Sequence, residues 1–142
     1  MKKGGKKGEM TLKLDMSKAY DRVECGCLDK IMENLGFEGR WRKLLLTCIS
    51  TVTYFVWING KPHGHTVPSR GLRQGDLLSP YIFLLCAKGL SALIKKGVGD
   101  GQLEGISVCR SAPKLSHLFF ADDSLIFCKA PLQECDSLQR IF

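Results

Sequence analysis

The chain has 142 residues, 44% of them hydrophobic, which is enough for one compact domain with a core and too few for two comfortable ones. Lysine and arginine outnumber aspartate and glutamate by 21 to 14, and the formal charge of +7 favours polyanionic partners such as nucleic acid, with an ordinary basic surface as the alternative. The sequence from Leu44 to Ile58 is uncharged but shorter than the ~20 residues of a spanning helix, and it carries several hydroxyls, so no membrane segment is expected.

The chain opens on "MKKGGKKGEM", in which lysines sit among glycines without an apolar face, and residues 1–9 read as a flexible basic tail. No apolar run follows to make a secretory signal, so an intracellular location is expected. "MTLKLDM" alternates Leu12 and Leu14 with Thr11 and Lys13, the period of a strand ending at Asp15. A helix is then expected after Asp21, whose carboxylate and that of Glu24 form a capping-box-like pair, with Val23, Ile31 and Leu35 buried and Gly36 as the stop.

"EGRWRKLLLTCIS" predicts a second helix that buries Trp41, Leu44, Leu45, Cys48 and Ile49 and turns Arg40, Arg42 and Lys43 outward. "VTYFVWING" has the composition of a strand, and Asn59-Gly60 is a strong hairpin dipeptide with "HGHTVPS" as the return. Beyond the loop "RGLRQGDLL", Ser79 and Pro80 suit the start of an apolar helix that runs through Ile94 and is broken by Gly97, Gly99 and Gly101. "LEGISVC" suggests a short strand, "KLSHLFF" and "SLIFC" a closing strand pair with "ADD" as its turn, and "PLQECDSLQRIF" a last helix.

Seven cysteines, an odd number without an export signal, suit free thiols in a reducing interior. Cys25 with Cys27 and His63 with His65 lack the two-to-four residue gap of a zinc knuckle, so structural zinc is not expected. Asp122 and Asp123 taken alone are ordinary turn residues. With Asp15 also ending a strand, however, three carboxylates at neighbouring strand ends make a hard-oxygen site for Mg²⁺, and their mutual repulsion calls for a cation.

"LKLDMSKAYDRV", then "SRGLRQGDLLSP", then "FFADD" resemble, in order and spacing, the palm motifs of reverse transcriptases from non-LTR retrotransposons of the LINE type, as found in plants. The likeness covers about Met10 to Ala130. It implies an α+β palm-like fold, an antiparallel sheet carrying the aspartates with helices packed on one face. It implies RNA-directed DNA polymerase activity on an RNA template, a DNA primer and deoxynucleoside triphosphates. Asp15 and Asp122 would be the principal ligands of two Mg²⁺ ions, which Mn²⁺ can replace, with Asp123 as a supporting ligand.

The resemblance further implies that Tyr20 lies under the sugar and excludes a 2′-hydroxyl, and that Gln74 and Gly75 contact the incoming nucleotide and template. Arg70 and Arg73 stand where they can reach phosphates. Leu77 replaces the proline that usually follows "QGD", which loosens that loop, and Cys25 and Cys27 replace larger side chains, as in a copy under relaxed constraint. Residues 10–142 then form a partial palm without fingers or thumb, weak or inactive alone and nuclear if it serves a retrotransposon. The alternative from another class is an inactive nucleic-acid-binding remnant.

Overall fold

The computed structural model describes residues 8–16, 18–109, 112–120, 123–129 and 132–141, the side chains of 132 and 133 excepted. Residues 1–7 of the expected basic tail and Asp122 lie outside the described residues. The chain divides into two compact units, residues 18–86 and residues 1–17 with 87–142. The physical basis is two separate apolar clusters, one in each unit.

The discontinuous unit is built on an antiparallel sheet of β1 (Glu9–Asp15), β4 (His117–Phe120) and β5 (Asp123–Lys129), in the order β1-β5-β4. Alternation decides its faces. Met10, Leu12 and Leu14 stand opposite Cys128, Ile126 and Ser124, and this side is closed by Ile94 and Val98 of α3 (Ser79–Gly99) and by Leu138 and Ile141 of α4 (Leu132–Ile141). Ile94, Ile126 and Cys128 are fully buried, each isoleucine contributing about 1.5–3 kcal/mol relative to exposure. The α+β arrangement of an antiparallel sheet with helices on one face is therefore the one observed.

The expected strand at "LEGISVC" is reduced to a single bridge between Ile106 and Leu115. α3 does not stop near Ile94. It continues through Gly97 to Gly99, because a Cβ at Gly97 would lie 3.3 Å from Leu103 and 3.4 Å from Ile141, so the small residue lets these chains close in. Buried Glu134 of α4 ties the unit together by accepting from the N–H groups of Glu104 and Lys129, each at 3.1 Å.

The continuous unit holds α1 (Cys25–Asn34), α2 (Gly39–Ser50), the hairpin β2 (Tyr54–Ile58) and β3 (Lys61–Thr66), and the first part of α3. α1 begins four residues later than Asp21. Asp21 lies in a 3-10 turn, Tyr20–Arg22, and Glu24 is the N-cap without a side-chain cap bond. Leu28 and Met32, not Ile31 and Leu35, carry the buried side. Gly36, at φ +84°, ends the helix as expected.

α2 is rotated from its expected face. Leu45, Leu46 and Ile49 pack on the core while Trp41, Leu44 and Cys48 are exposed. The rotation turns Arg42 inward to α1, where it donates to Asp29 at 2.8 and 3.2 Å and to Glu33 at 2.8 Å. No described helix is long and apolar enough to cross a membrane.

Candidate active site

Asp15 and Asp123 close the β1–β5 ladder as directly opposed residues. Both belong to the face of the sheet away from α3 and α4, because each is an odd step from the buried positions of its own strand. Asp15 is exposed and Asp123 half-buried. Like charges directly opposite across a ladder repel, and the chain offsets this with Lys13, one diagonal step away, whose Nζ lies 3.0 Å from Asp123 Oδ2. With the Lys13 side chain 62% and that of Asp123 40% exposed, that pair contributes about 0–1 kcal/mol.

The donor set suits a hard divalent cation: carboxylate oxygens on a rigid strand pair, facing solvent, one of them already holding a positive group. Among the described residues no three or more His, Cys, Asp or Glu side chains are grouped to hold a metal. Asp122, the third carboxylate of the sequence motif, lies outside those residues. Lys13 is the member of this cluster that motif reading overlooked; its position two residues before Asp15 on one strand face was the available signal.

The remaining sequence-predicted residues belong to the other unit, where the backbone brings Tyr20 and the loop of residues 68–78 together. The Gly71 N–H donates to the Val23 carbonyl and the Leu72 N–H to the Tyr20 carbonyl, both at 2.8 Å. Gly71 has φ +98°, and a Cβ there would lie 3.1 Å from Asp21 Cα and 3.2 Å from Asp21 O, so both conformation and space require glycine. Tyr20 stacks on Phe83 with centroids 5.0 Å apart and planes at 11°. It is therefore a packing residue of the unit, whatever else its ring edge does.

Arg73, Gln74 and Gly75 are exposed on the turn that follows. Gly75 has φ +85°, the Asp76 N–H donates to the Arg73 carbonyl at 3.4 Å, and the Asp76 carboxylate accepts from the Leu78 N–H at 2.9 Å. These bonds hold the turn at the entrance to α3. Leu77 is 86% exposed, so the proline-to-leucine departure disturbs no packing. Beside the turn is a cavity of about 290 Å³ whose walls include Asp21, Tyr54, Arg70, Arg73, Asp76 and Ser79. Gln74 and Gly75 are not part of its wall, and Tyr54 and Asp21 enter it without having been singled out for it in the sequence.

Comparison with known proteins gives the same motifs a family. The family model described as reverse transcriptase (RNA-dependent DNA polymerase) matches residues 1–142. An uncharacterized mitochondrial protein of Arabidopsis thaliana is 54% identical over 67 residues, 47% of this chain and 55% of that protein. A retrovirus-related Pol polyprotein from a type-1 retrotransposable element R2 of Popillia japonica is 28% identical over 113 residues, 80% of this chain and 18% of the polyprotein. The matched segment thus spans about half the length of the plant relative and less than a fifth of the insect one. The chain belongs to the reverse transcriptase (RNA-dependent DNA polymerase) family.

Proposed function

We propose that this chain is the palm segment, residues 10–142, of a plant-like LINE-type non-LTR retrotransposon reverse transcriptase. Its reaction is two-metal nucleotidyl transfer from deoxynucleoside triphosphates to a DNA primer on an RNA template. The observation that carries this reading is the opposition of Asp15 and Asp123 at the open end of the β1–β5 ladder, with Asp122 adjacent in sequence.

Asp15 and Asp122 act as the principal metal-holding residues and Asp123 as the supporting one. When bound there, Mg²⁺ or Mn²⁺ supplies Lewis-acid activation of the primer hydroxyl and charge stabilisation of the leaving pyrophosphate. The ladder fixes the Asp15 and Asp123 backbones, which limits the freedom these carboxylates lose when they bind a cation. Lys13 offsets the charge of Asp123. Tyr20, braced by Phe83, selects the sugar by steric exclusion of a 2′-hydroxyl. Gly75 lets the backbone of its turn approach the nucleotide and template, Gln74 contacts them, and Arg73 attracts phosphate. A polymerase of this kind acts on chromosomal DNA, which places its work in the nucleus.

The matched residues correspond to less than a fifth of the insect polyprotein, and primer extension by residues 1–142 tested alone is expected to be weak or absent. A noncatalytic nucleic-acid-binding remnant is the second reading, and the observation that favours it is the Lys13 ion pair already neutralising Asp123. Mn²⁺ titration followed by electron paramagnetic resonance, run with primer extension, separates them. Saturable Mn²⁺ binding that is lost in Asp15→Asn is expected, with at most trace extension. Binding unchanged in Asp15→Asn, or absent from the unaltered chain, sinks the catalytic reading and leaves the remnant. Robust extension keeps the catalytic reading and overturns the expectation of weak activity.

A further inference from the structure

From Gly39 to Gly75 the chain contains no aspartate or glutamate, while Arg40, Lys43, Lys61, Arg70 and Arg73 are spread through it. Arg42 is engaged by Asp29 and Glu33 and is left out of this account. The β2–β3 hairpin stands in the middle of this acid-free stretch, and every residue of both strands is exposed. Asn59 at φ +50° and Gly60 at φ +77° make its turn, and the register shifts after Phe55, where Gly64 at φ +64° is the extra residue.

A lone two-stranded ribbon is marginal in water, and this one exposes 53% of Phe55, 70% of Trp57 and 61% of Val56. Phe55 and Trp57 share one face, across from His65 and Pro62, and the Phe55 and His65 rings have centroids 5.2 Å apart. Along a strand, residues two apart are roughly 6.8 Å from each other, twice the ~3.4 Å rise of stacked bases. The thickness of one base therefore fits between two such rings. At the foot of the ribbon, Tyr54 shares the cavity of about 290 Å³ with Arg70 and Arg73. Asp21 and Asp76 also line it, but the Asp76 carboxylate already accepts the Leu78 N–H.

We propose that the β2–β3 ribbon is a stacking platform for a single-stranded polynucleotide, with phosphates running to Arg70 and Arg73 at its foot. Charge selects this occupant. A second copy would bring a ribbon of the same sign, on a chain of the same net +7, against the first. Aromatic rings on an acid-free strand pair suit bases and phosphates together. Identification of the bound strand as template or primer rests on the polymerase reading; the surface itself does not.

The test is fluorescence anisotropy of a labelled 15-nucleotide oligouridylate with the full chain in the absence of divalent metal, comparing the unaltered protein, Phe55→Ala with Trp57→Ala, and Arg70→Gln with Arg73→Gln. The aromatic pair is expected to lose about ten-fold or more in affinity. The arginine pair is expected to reduce the slope of log affinity against log salt by about 1–2. Circular dichroism should be unchanged, since all four side chains are exposed. Equal affinity in the aromatic variant overturns the proposal. So does sedimentation showing that those rings hold two copies together while oligonucleotide binding is unaffected by their loss. Mn²⁺ binding distinguishes the two readings: the aromatic variant should retain it, and Asp15→Asn should lose it while still binding the oligonucleotide.

Discussion

Gly71→Ala should unfold the continuous unit far more readily than its single added methyl suggests. At φ +98° an L-residue bears left-handed strain of about 1–2 kcal/mol. The new Cβ would also stand 3.1 Å from Asp21 Cα and 3.2 Å from Asp21 O, backbone atoms that yield only by shifting the 3-10 turn. That shift stretches the 2.8 Å bonds from Gly71 to Val23 and from Leu72 to Tyr20, each contributing about 0.5–1.5 kcal/mol. Together the loss is about 2–5 kcal/mol. In urea, taking about 2 kcal/mol per molar, the midpoint falls by about 1–2.5 M. Gly26→Ala is the internal control, because Gly26 is in α1 with nothing within 4 Å of its Cβ position, and it should gain about 0.5–1 kcal/mol. A loss below about 0.5 kcal/mol for Gly71→Ala would refute the close approach of the loop to the Tyr20 turn.

Three further outcomes follow from the shifted titrations. Burial, helped by Lys95, lowers the His117 imidazole from 6.5, so the unfolded chain takes up the proton first and stability should fall as pH drops below 6.5; His117→Gln should flatten the dependence of the urea midpoint between pH 7.5 and 5.5. Hydrogen bonds from Lys114 and Lys129 hold the Glu104 carboxyl down at about 2 against 4.5, so its contribution is present above 4.5 and lost as pH falls toward 2; carboxyl NMR titration should show it, with an upward shift in Lys129→Met. Burial pushes the Cys86 thiol up to about 11, so in native buffer at pH 8 it should react with a thiol reagent well after exposed Cys27, Cys48 and Cys109, and equally fast only once the chain is unfolded.

What could be read from the sequence was what is local. Asn59-Gly60 specified a hairpin turn because only residues tolerant of positive φ fit both central positions, and both are found there. The alternation of Thr11, Leu12, Lys13 and Leu14 gave β1 and its buried face. What required a tertiary partner was not legible. Leu44, Leu45 and Leu46 are consecutive, so hydrophobic spacing alone leaves the phase of α2 open. The phase found packs Leu45, Leu46 and Ile49 on the cluster around Leu28 and Met32, which turns Arg42 to Asp29 and Glu33 of α1 and leaves Trp41 in solvent. Asp21 has the chemistry of a cap, but the next turn is committed instead to the Gly71 loop, with Val23 extended so that its carbonyl meets the Gly71 N–H. Gly97 reads as a breaker until Leu103 and Ile141 are placed against it.

The same distinction applies to the carboxylates. Their order along the chain was legible, but their opposition was not, because an antiparallel register is decided by which side chains can be buried together. Sliding β5 by one residue would bring Ser124 opposite Asp15 and turn Ile126 and Cys128, both essentially without exposure, to solvent while Leu125 and Phe127 took their places. The transfer terms largely offset, but Leu125 and Phe127 are together larger than Ile126 and Cys128, and forcing them into a space packed for the smaller pair costs about 1–3 kcal/mol. The Lys13–Asp123 pair, at about 0–1 kcal/mol, is too weak to choose between registers. The apolar face against α3 and α4 therefore positions the acidic edge: Met10, Leu12, Ile126 and Cys128, none of which does chemistry, place Asp15 across from Asp123. Substitutions at those core positions act on the site through register and not through charge, which is why a carboxylate motif in sequence needs the strands around it before it can hold a cation.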